Sequence, residues 1–584
     1  MIVALLLACT AVQAAPPETQ PATRPGLVLR AADFGAIAND GQDDAPALQA
    51  ALRACAERGA SRLELEPGRY DLILPKGQSP RTLLVIDGMK DFTLDGRGAE
   101  LILHGVVGVL TIARSGGITV QNITIDSARA PFSLGEVIAR GDKHFDVRIA
   151  PEYPVKGNEP VVAFMDYDLS TGLPATNGVD VYFAVTRTES VGPQVMRVHT
   201  KHDVDVRPGM QLVLRHQVYD RNALIVSACQ DITLRDVTIY SVPGMGLYAG
   251  RTRDMTIERM RVQPRPGSGH LISATADATH FNGCLGTIAI TDSHFDGMGD
   301  DAINIKTGLY LKVLERVDDH TVLSMHNLGI ESLPAAGDTM EFIRTATLIP
   351  YAEGKVASAS IDPDKRHRVR FVDPLPPQME IGDVLGNATT VPRVRIRGCT
   401  VQRNRARGFL LQTRDVLVED CTFRNCTSGG IFVMTETVHF YEAIGTRDVT
   451  VRRCTFDNCS YTGPLGEGVL LVGGYAPNFA LPPEPGVHRN IRLEDNVIRG
   501  AHNAGIFVAG ADGIVIRGNV IENTGRRPTR EECRSGIFIM SSRNVEVTNN
   551  RLSGLAEGVV PFRTGPNLDL TTLQVRQNSG IPSP

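Results

Sequence analysis

One short unit recurs along this chain. "DITLRDVTIYSVPGMGLYAG" from Asp231, "TIAITDSHFDGMGDDAINI" from Thr287, "RVRIRGCTVQRNRARGFLLQ" from Arg393 and "DVLVEDCTFRNCTSGGIFVM" from Asp415 share one frame. "DVTVRRCTFDNCS" from Asp448, "NIRLEDNVIRGAHNAGIFVAG" from Asn490, "GIVIRGNVIENTG" from Gly513 and "NVEVTNNRLSG" from Asn544 continue it. Each unit reads as an alternating strand, a polar corner, a second short strand, a Gly-containing turn and a third, apolar strand. The period is about 22 to 33 residues. Units of this length that contain strands and no helix bury their apolar faces by stacking on one another, which predicts an all-β fold, a right-handed parallel β-helix. A β-propeller needs longer, four-stranded units.

The frame explains the cysteines. Cys399, Cys421 and Cys454 hold one repeat position, and Cys426 and Cys459 share another. Equivalent positions on neighbouring coils lie about 4.8 Å apart, so these residues read as internal ladders of small apolar side chains, not as disulfides or a metal site. The Asn-x-Ser/Thr sites at Asn425 and Asn458 read as a turn ladder for the same reason. Upstream, "DFGAIANDGQDDAPALQAALRACAERGASRLELEPGRYDL" supplies one helix, with Asp43 or Asp44 as N-cap, Pro46 in the first turn and Gly59 as the stop. A single helix ahead of a solenoid is a cap over its open end, and this stretch also resembles the entry segment of pectin-lyase-like β-helix proteins.

Two blocks break the repeat. Their strands, such as "VDVYFAVTRTE" and "HRVRFVD", read as two small inserted β-domains of barrel type. The expected organisation is a leader at 1–14, a linker at 15–29, the cap and first coils at 30–133, an insert at 134–222, coils at 223–308, a second insert at 309–392 and the last coils at 393–584. Insertions in solenoids leave from loops on one face, often the binding face.

Charge excludes one class of partner. The 584 residues hold 60 Lys plus Arg against 65 Asp plus Glu, a formal charge of -5, so no basic excess exists to neutralise nucleic acid phosphates. "MIVALLLACTAVQAAPPE" reads as a secretory signal cut after Ala14, with a lipidated Cys9 as the alternative. The expectation is a secreted or periplasmic chain, or a surface lipoprotein, with no membrane span. Oligomeric state is open.

The stretch "ATADATHFNGCLGTIAITDSHFDGMGDDAINIKTG" places Asp277 23 residues before Asp300, within one coil, and sets Asp301 beside it. Three carboxylates then converge on one surface, at a turn where other coils carry Gly244-Met245, Ala406-Arg407 or Ser428-Gly429. The fold does not require acids there. A calcium site wants more oxygen ligands in a looped spacing, whereas paired carboxylates with no Ser or Cys nucleophile are the chemistry of glycosidic bond cleavage. No cofactor motif competes.

"ATADATHF", "GMGDDAINI", "NRARGFLL" and "FYEAIGTRDVTVRRCTF", in that order around two inserts, resemble glycoside hydrolase family 110, bacterial exo-acting α-1,3-galactosidases that remove terminal galactose from blood group B and related glycans. The resemblance implies Asp300 as general acid and Asp277 and Asp301 as holders of the water, in an inverting reaction without a metal. It makes His280, Asn304, Lys306, Arg407, His439, Tyr441 and Glu442 the candidates for substrate binding. Two departures stand out: Lys306 occupies a place where a His is expected, and "VHFYE" lacks the commoner Trp, so Phe440 and Tyr441 must stack the sugar. Two alternatives are a polygalacturonase-like hydrolase, whose Gly-His-Gly and Arg-x-Lys elements are missing after Asp301, and a non-catalytic carbohydrate-binding β-helix.

Overall fold

The computed structural model describes residues 24–326, 333–462, 466–528 and 530–581. The leader read at 1–14 and most of the linker lie outside them. The described chain is a parallel β-helix with two inserts. One long sheet of 23 strands and a second of 12 run the length of the solenoid, and their inward residues form one continuous core from Ala31 to Ile581. Aromatic side chains stack within it from coil to coil, as where the Phe423 and Phe456 rings lie 4.7 Å apart and 10° from parallel.

Both inserts excise cleanly. Leu224–Ser227 pairs in parallel with Gly108–Ala113 across the first insert, and Ile303–Lys306 pairs with Arg407–Gln412 across the second. The inserts differ in closure. The second is a closed six-stranded barrel of Leu311–Arg316, Thr321–Met325, His367–Phe371, Ile349–Ile361, Thr339–Arg344 and Val384–Asn387. The first is an open eight-stranded antiparallel sheet running from Phe132–Gly141 to Gln211–Arg215, with its own apolar cluster around Phe145 and Phe164.

The capping helix is Ala45–Arg58, with Asp44 at the N-cap and Gly59 in the left-handed conformation at φ 65°. The Asp44 carboxylate does not cap the helix. It accepts from the backbone of Ile37 and Asp71, while Asp43 accepts from Ala45. All nine described cysteines are buried free thiols. Asn458 donates to the Asn425 side chain at 2.8 Å, and both residues have positive φ, so the two sequons form a turn ladder. Among the described residues no helix is long and apolar enough to cross a membrane.

Candidate functional site

The 12-stranded sheet presents alternate residues outward, and register turns them into columns across the coils. Tyr248, His280, Asn304, Leu410 and Phe432 form one such column. The turns that enter these strands form another. Asp277 precedes Thr279–Asn282, Asp301 precedes Ile303–Lys306, and Arg407 opens the next strand, so Asp277, Asp301 and Arg407 stack on three successive coils. The turns pack closely: a Cβ on Gly299 would lie 2.3 Å from the Thr275 carbonyl oxygen, which leaves that position to glycine.

One oxygen from each of Asp277, Asp300 and Asp301 lies within 4.8 Å of the others. A rung of about 4.8 Å plus the lateral offset across a turn would by itself set the carboxylates farther apart. The Asp301 backbone N–H donates to Asp277 Oδ1 at 3.1 Å, which pulls the two coils' carboxylates together. Each acid has its own partners. Asp277 Oδ2 sits 2.6 Å from His280 Nδ1. Asp301 takes a bidentate pair from Arg407 at 2.7 and 2.8 Å, a third bond from the Arg407 N–H and a fourth from Asn304 Nδ2. Asp300 accepts from the Tyr219 hydroxyl and, at 3.4 Å, from Arg405. Accessibility is graded: Asp301 is fully buried, Asp277 is 2% exposed and Asp300 9%.

These surroundings separate the acids electrostatically. Burial, with the Asp300 charge adding to it, lifts Asp277 well above the carboxylate range. Burial and the two neighbouring carboxylates, working against Arg407, bring Asp301 up to about 7. Burial pushes Asp300 up as well, but Arg405, Arg407 and the Tyr219 hydrogen bond outweigh it and hold Asp300 below its ordinary value. The ligand-free cluster therefore holds its proton on the Asp277–Asp301 side. Every Asp301 oxygen faces Arg407 or Asn304, and Asp300 faces two arginines, so a metal ion here would have to displace cationic groups.

Lys306 and Glu442 meet in a buried ion pair across the second insert. Lys306 holds Glu442 low against the effect of burial. His280 is pushed down to about 3 by burial and then by Lys306, so it is neutral. Its Nε2 and the Asn304 Oδ1 are buried without a hydrogen-bond partner. An orphaned polar atom costs about 1–3 kcal/mol, and a sugar hydroxyl satisfies it. All of these groups line a cavity of about 580 Å³, within the range of small-molecule sites.

The structure gathers nine of the ten sequence candidates at this cavity, with His439 at its exposed rim. Tyr441 is the exception. Its backbone turns at φ 50°, which sends Glu442 into the cavity and leaves the Tyr441 ring buried against Tyr310, Ile343 and Val384. Tyr441 is thereby turned away from the cavity, and Phe479, from the loop after the next coil, lines it instead. The first insert adds residues that sequence reasoning missed. Its Tyr182 ring has the Arg215 and Arg405 guanidiniums over it, 4.4 and 4.6 Å from the centroid, Asp180 pairs with Arg405 at 2.5 Å, and Tyr219 reaches Asp300. Only Arg405 had a legible signal, because it alternates with Arg407 in "NRARGF".

Comparison with known proteins follows the same lines. Residues 383–480 and 486–581 match the family described as right handed beta helix region, and residues 328–385 match the GLAA-B beta-barrel domain II. Alpha-1,3-galactosidase A of Bacteroides fragilis is 28% identical over 85% of this chain and 87% of its own length. Alpha-1,3-galactosidase B of Akkermansia muciniphila is 28% identical over 72% of this chain and 56% of its own. Alpha-1,3-galactosidase A of Shewanella woodyi is 25% identical over 91% and 92%. With a β-helix that carries its inserts between the coils and a second-insert barrel that matches a GLAA-B domain, the chain is a homologue of the curated bacterial alpha-1,3-galactosidases.

Proposed function

We propose that this protein is an exo-acting glycoside hydrolase that removes terminal α-1,3-linked galactose from oligosaccharides or glycoconjugates, of blood group B or linear type, with inversion. One observation carries the reading: three carboxylates from two coils converge at one cavity with unequal exposure and opposed proton affinities. Asp300 is the most accessible and is the group that meets the glycosidic oxygen as general acid. Its proton comes from the Asp277–Asp301 side, one oxygen of each being within 4.8 Å. Asp277 and Asp301 line the cavity but are almost closed to solvent, and their carboxylates are held by His280 and the Asp301 N–H in one case and by Arg407 in the other, an arrangement that favours holding a water over attack on an anomeric carbon. They act on a water instead; inversion is inferred from that role and from the family resemblance and not from spacing, because the nearest carboxylate oxygens lie within 4.8 Å, closer than the roughly 6.5–9.5 Å between the carboxyls of inverting pairs.

His280 Nε2 and Asn304 Oδ1 take hydroxyls of the terminal sugar, and the Lys306–Glu442 pair closes the floor beside them. Lys306 is already neutralised by Glu442, which disfavours a galacturonan, whose carboxylate would need a free cation. Proton NMR of an α-1,3-galactosyl disaccharide in the first minutes of reaction tests the proposal. Initial β-galactose is expected. Initial α-galactose would mean retention, and no hydrolysis would remove the activity.

A further inference from the structure

The floor of the cavity is sealed and its rim is not. The three aspartates, His280, Lys306 and Glu442 are each at most 9% exposed, whereas Phe440 and Phe479 on the same cavity are 48% and 40% exposed. The two rings come from loops on successive coils and are linked by His439, whose ring stands edge-on 5.2 Å from Phe479 and 6.4 Å from Phe440. Tyr475 packs on Phe479 at 6.0 Å, and its hydroxyl donates to the buried Glu467 at 2.7 Å.

Both loops are held in place from below. The Glu436 carboxylate accepts the backbone N–H groups of Val438, His439 and Phe440 at 2.7, 2.8 and 2.7 Å. Asn478 and Phe479 both stand in the left-handed region, at φ 63° and 58°. A bulky residue there is strained, and such strain persists where the surroundings impose it, characteristically at ligand sites. The rings are thus fixed with a large share of each left exposed.

We propose that Phe440 and Phe479 form the leaving-group subsite, where they stack against the apolar face of the neutral sugar attached to the terminal galactose. The inference rests on the galactosidase reading and deepens it. The buried polar floor takes the terminal sugar, and Phe440 and Phe479 are exposed rings lining the same cavity, so the rest of the glycan leaves across them. Charge does not compete there. Arg114 and Arg251 on the cavity wall are already engaged, by Asp87 and by the Leu333 carbonyl.

The test compares an α-1,3-galactosyl disaccharide with α-galactosyl fluoride, which has the same terminal sugar and no sugar leaving group. Phe440→Ala and Phe479→Ala should each lower kcat/KM on the disaccharide about tenfold, an effect of the size of one aromatic stacking contact. The fluoride should be hydrolysed at the unaltered rate, which also reports an intact fold. Phe440→Trp and Phe479→Tyr should retain the disaccharide rate. Equal losses on both substrates, or no loss on the disaccharide, would overturn the subsite. A wild-type protein inert on the fluoride as well as the disaccharide would overturn the galactosidase reading beneath it.

Discussion

Tyr219→Phe isolates one hydrogen bond in the acid cluster. The Tyr219 hydroxyl donates to Asp300 Oδ2, and burial, with the Asp300 charge next, keeps the phenol protonated well above its usual range. The Tyr219 ring packs against the apolar cluster that holds Val218, Met245 and Tyr248, contacts that phenylalanine keeps. A hydrogen bond to a charged group contributes about 1.5–3 kcal/mol, and about 1.36 kcal/mol corresponds to one pKa unit. Losing the donor therefore raises the Asp300 pKa by about 1–2 units. The sign is fixed because the bond favours the ionised carboxylate. Arg405 and Arg407 remain, so Asp300 stays ionised at neutral pH. In a profile of kcat/KM against pH, the acid limb belongs to the lowest carboxyl of the cluster and should move up by that amount. The alkaline limb belongs to Asp277 and Asp301 and should stay. An acid limb that does not move, or moves down, would refute the assignment of that limb to Asp300.

Asp300→Asn should lower the rate on a natural disaccharide by about 10²–10⁴ and lower it less on aryl galactosides with good leaving groups; equal losses on both would argue against an acid role. Asp277 has its folded pKa raised, so the stability it contributes is fully present below its unfolded value of about 3.9 and is lost as pH rises through the folded value. Asp277→Asn, which keeps the shape without the charge, should raise the melting temperature at pH 8, leave it unchanged at pH 3.5 and abolish activity; a lower melting temperature at pH 8 would contradict the buried-charge account. Lys306→Met leaves Glu442 buried and unpaired, a loss of about 3–5 kcal/mol, and adding Glu442→Gln should restore most of it in urea titrations. A double variant as unstable as the single one would mean that the pair is not the cause.

Much of this architecture is legible because solenoid register is a local pattern. Alternation within a strand and recurrence between coils place Asp277 over Asp301, and the broken repeat marks where the inserts enter. Closure of the inserts is not local. Whether a set of antiparallel strands seals into a barrel depends on its first and last strands meeting, as Leu311–Arg316 does with Val384–Asn387, and strand patterns alone do not fix that. The same limit hides Tyr219 and Phe479, which reach the cavity from outside the coil frame. Tyr441 was misplaced for a different reason: its neighbours in "VHFYE" give no signal of the left-handed turn that directs its ring away from the cavity.

The charge order along the coils explains why the site sits where the inserts meet the solenoid. A bare β-helix would stack Asp277 on Asp301 and leave two buried like charges one rung apart, which is unfavourable. Arg407 on the following coil relieves one of them through its bidentate pair. The other is relieved by retaining a proton. Asp300, beside the column, is stabilised from the side by Tyr219 and Arg405, and Arg405 is in turn fixed by Asp180 and Tyr182 of the first insert. On the opposite side, Lys306 faces Glu442, which is seated where the second barrel's base pairs with that loop through Leu309. The coils supply a column of acids with a proton that cannot be shed cheaply. The inserts decide which acid stays ionised and which surface the glycan crosses, so exchange of inserts on an unchanged coil frame should alter specificity before it alters the reaction.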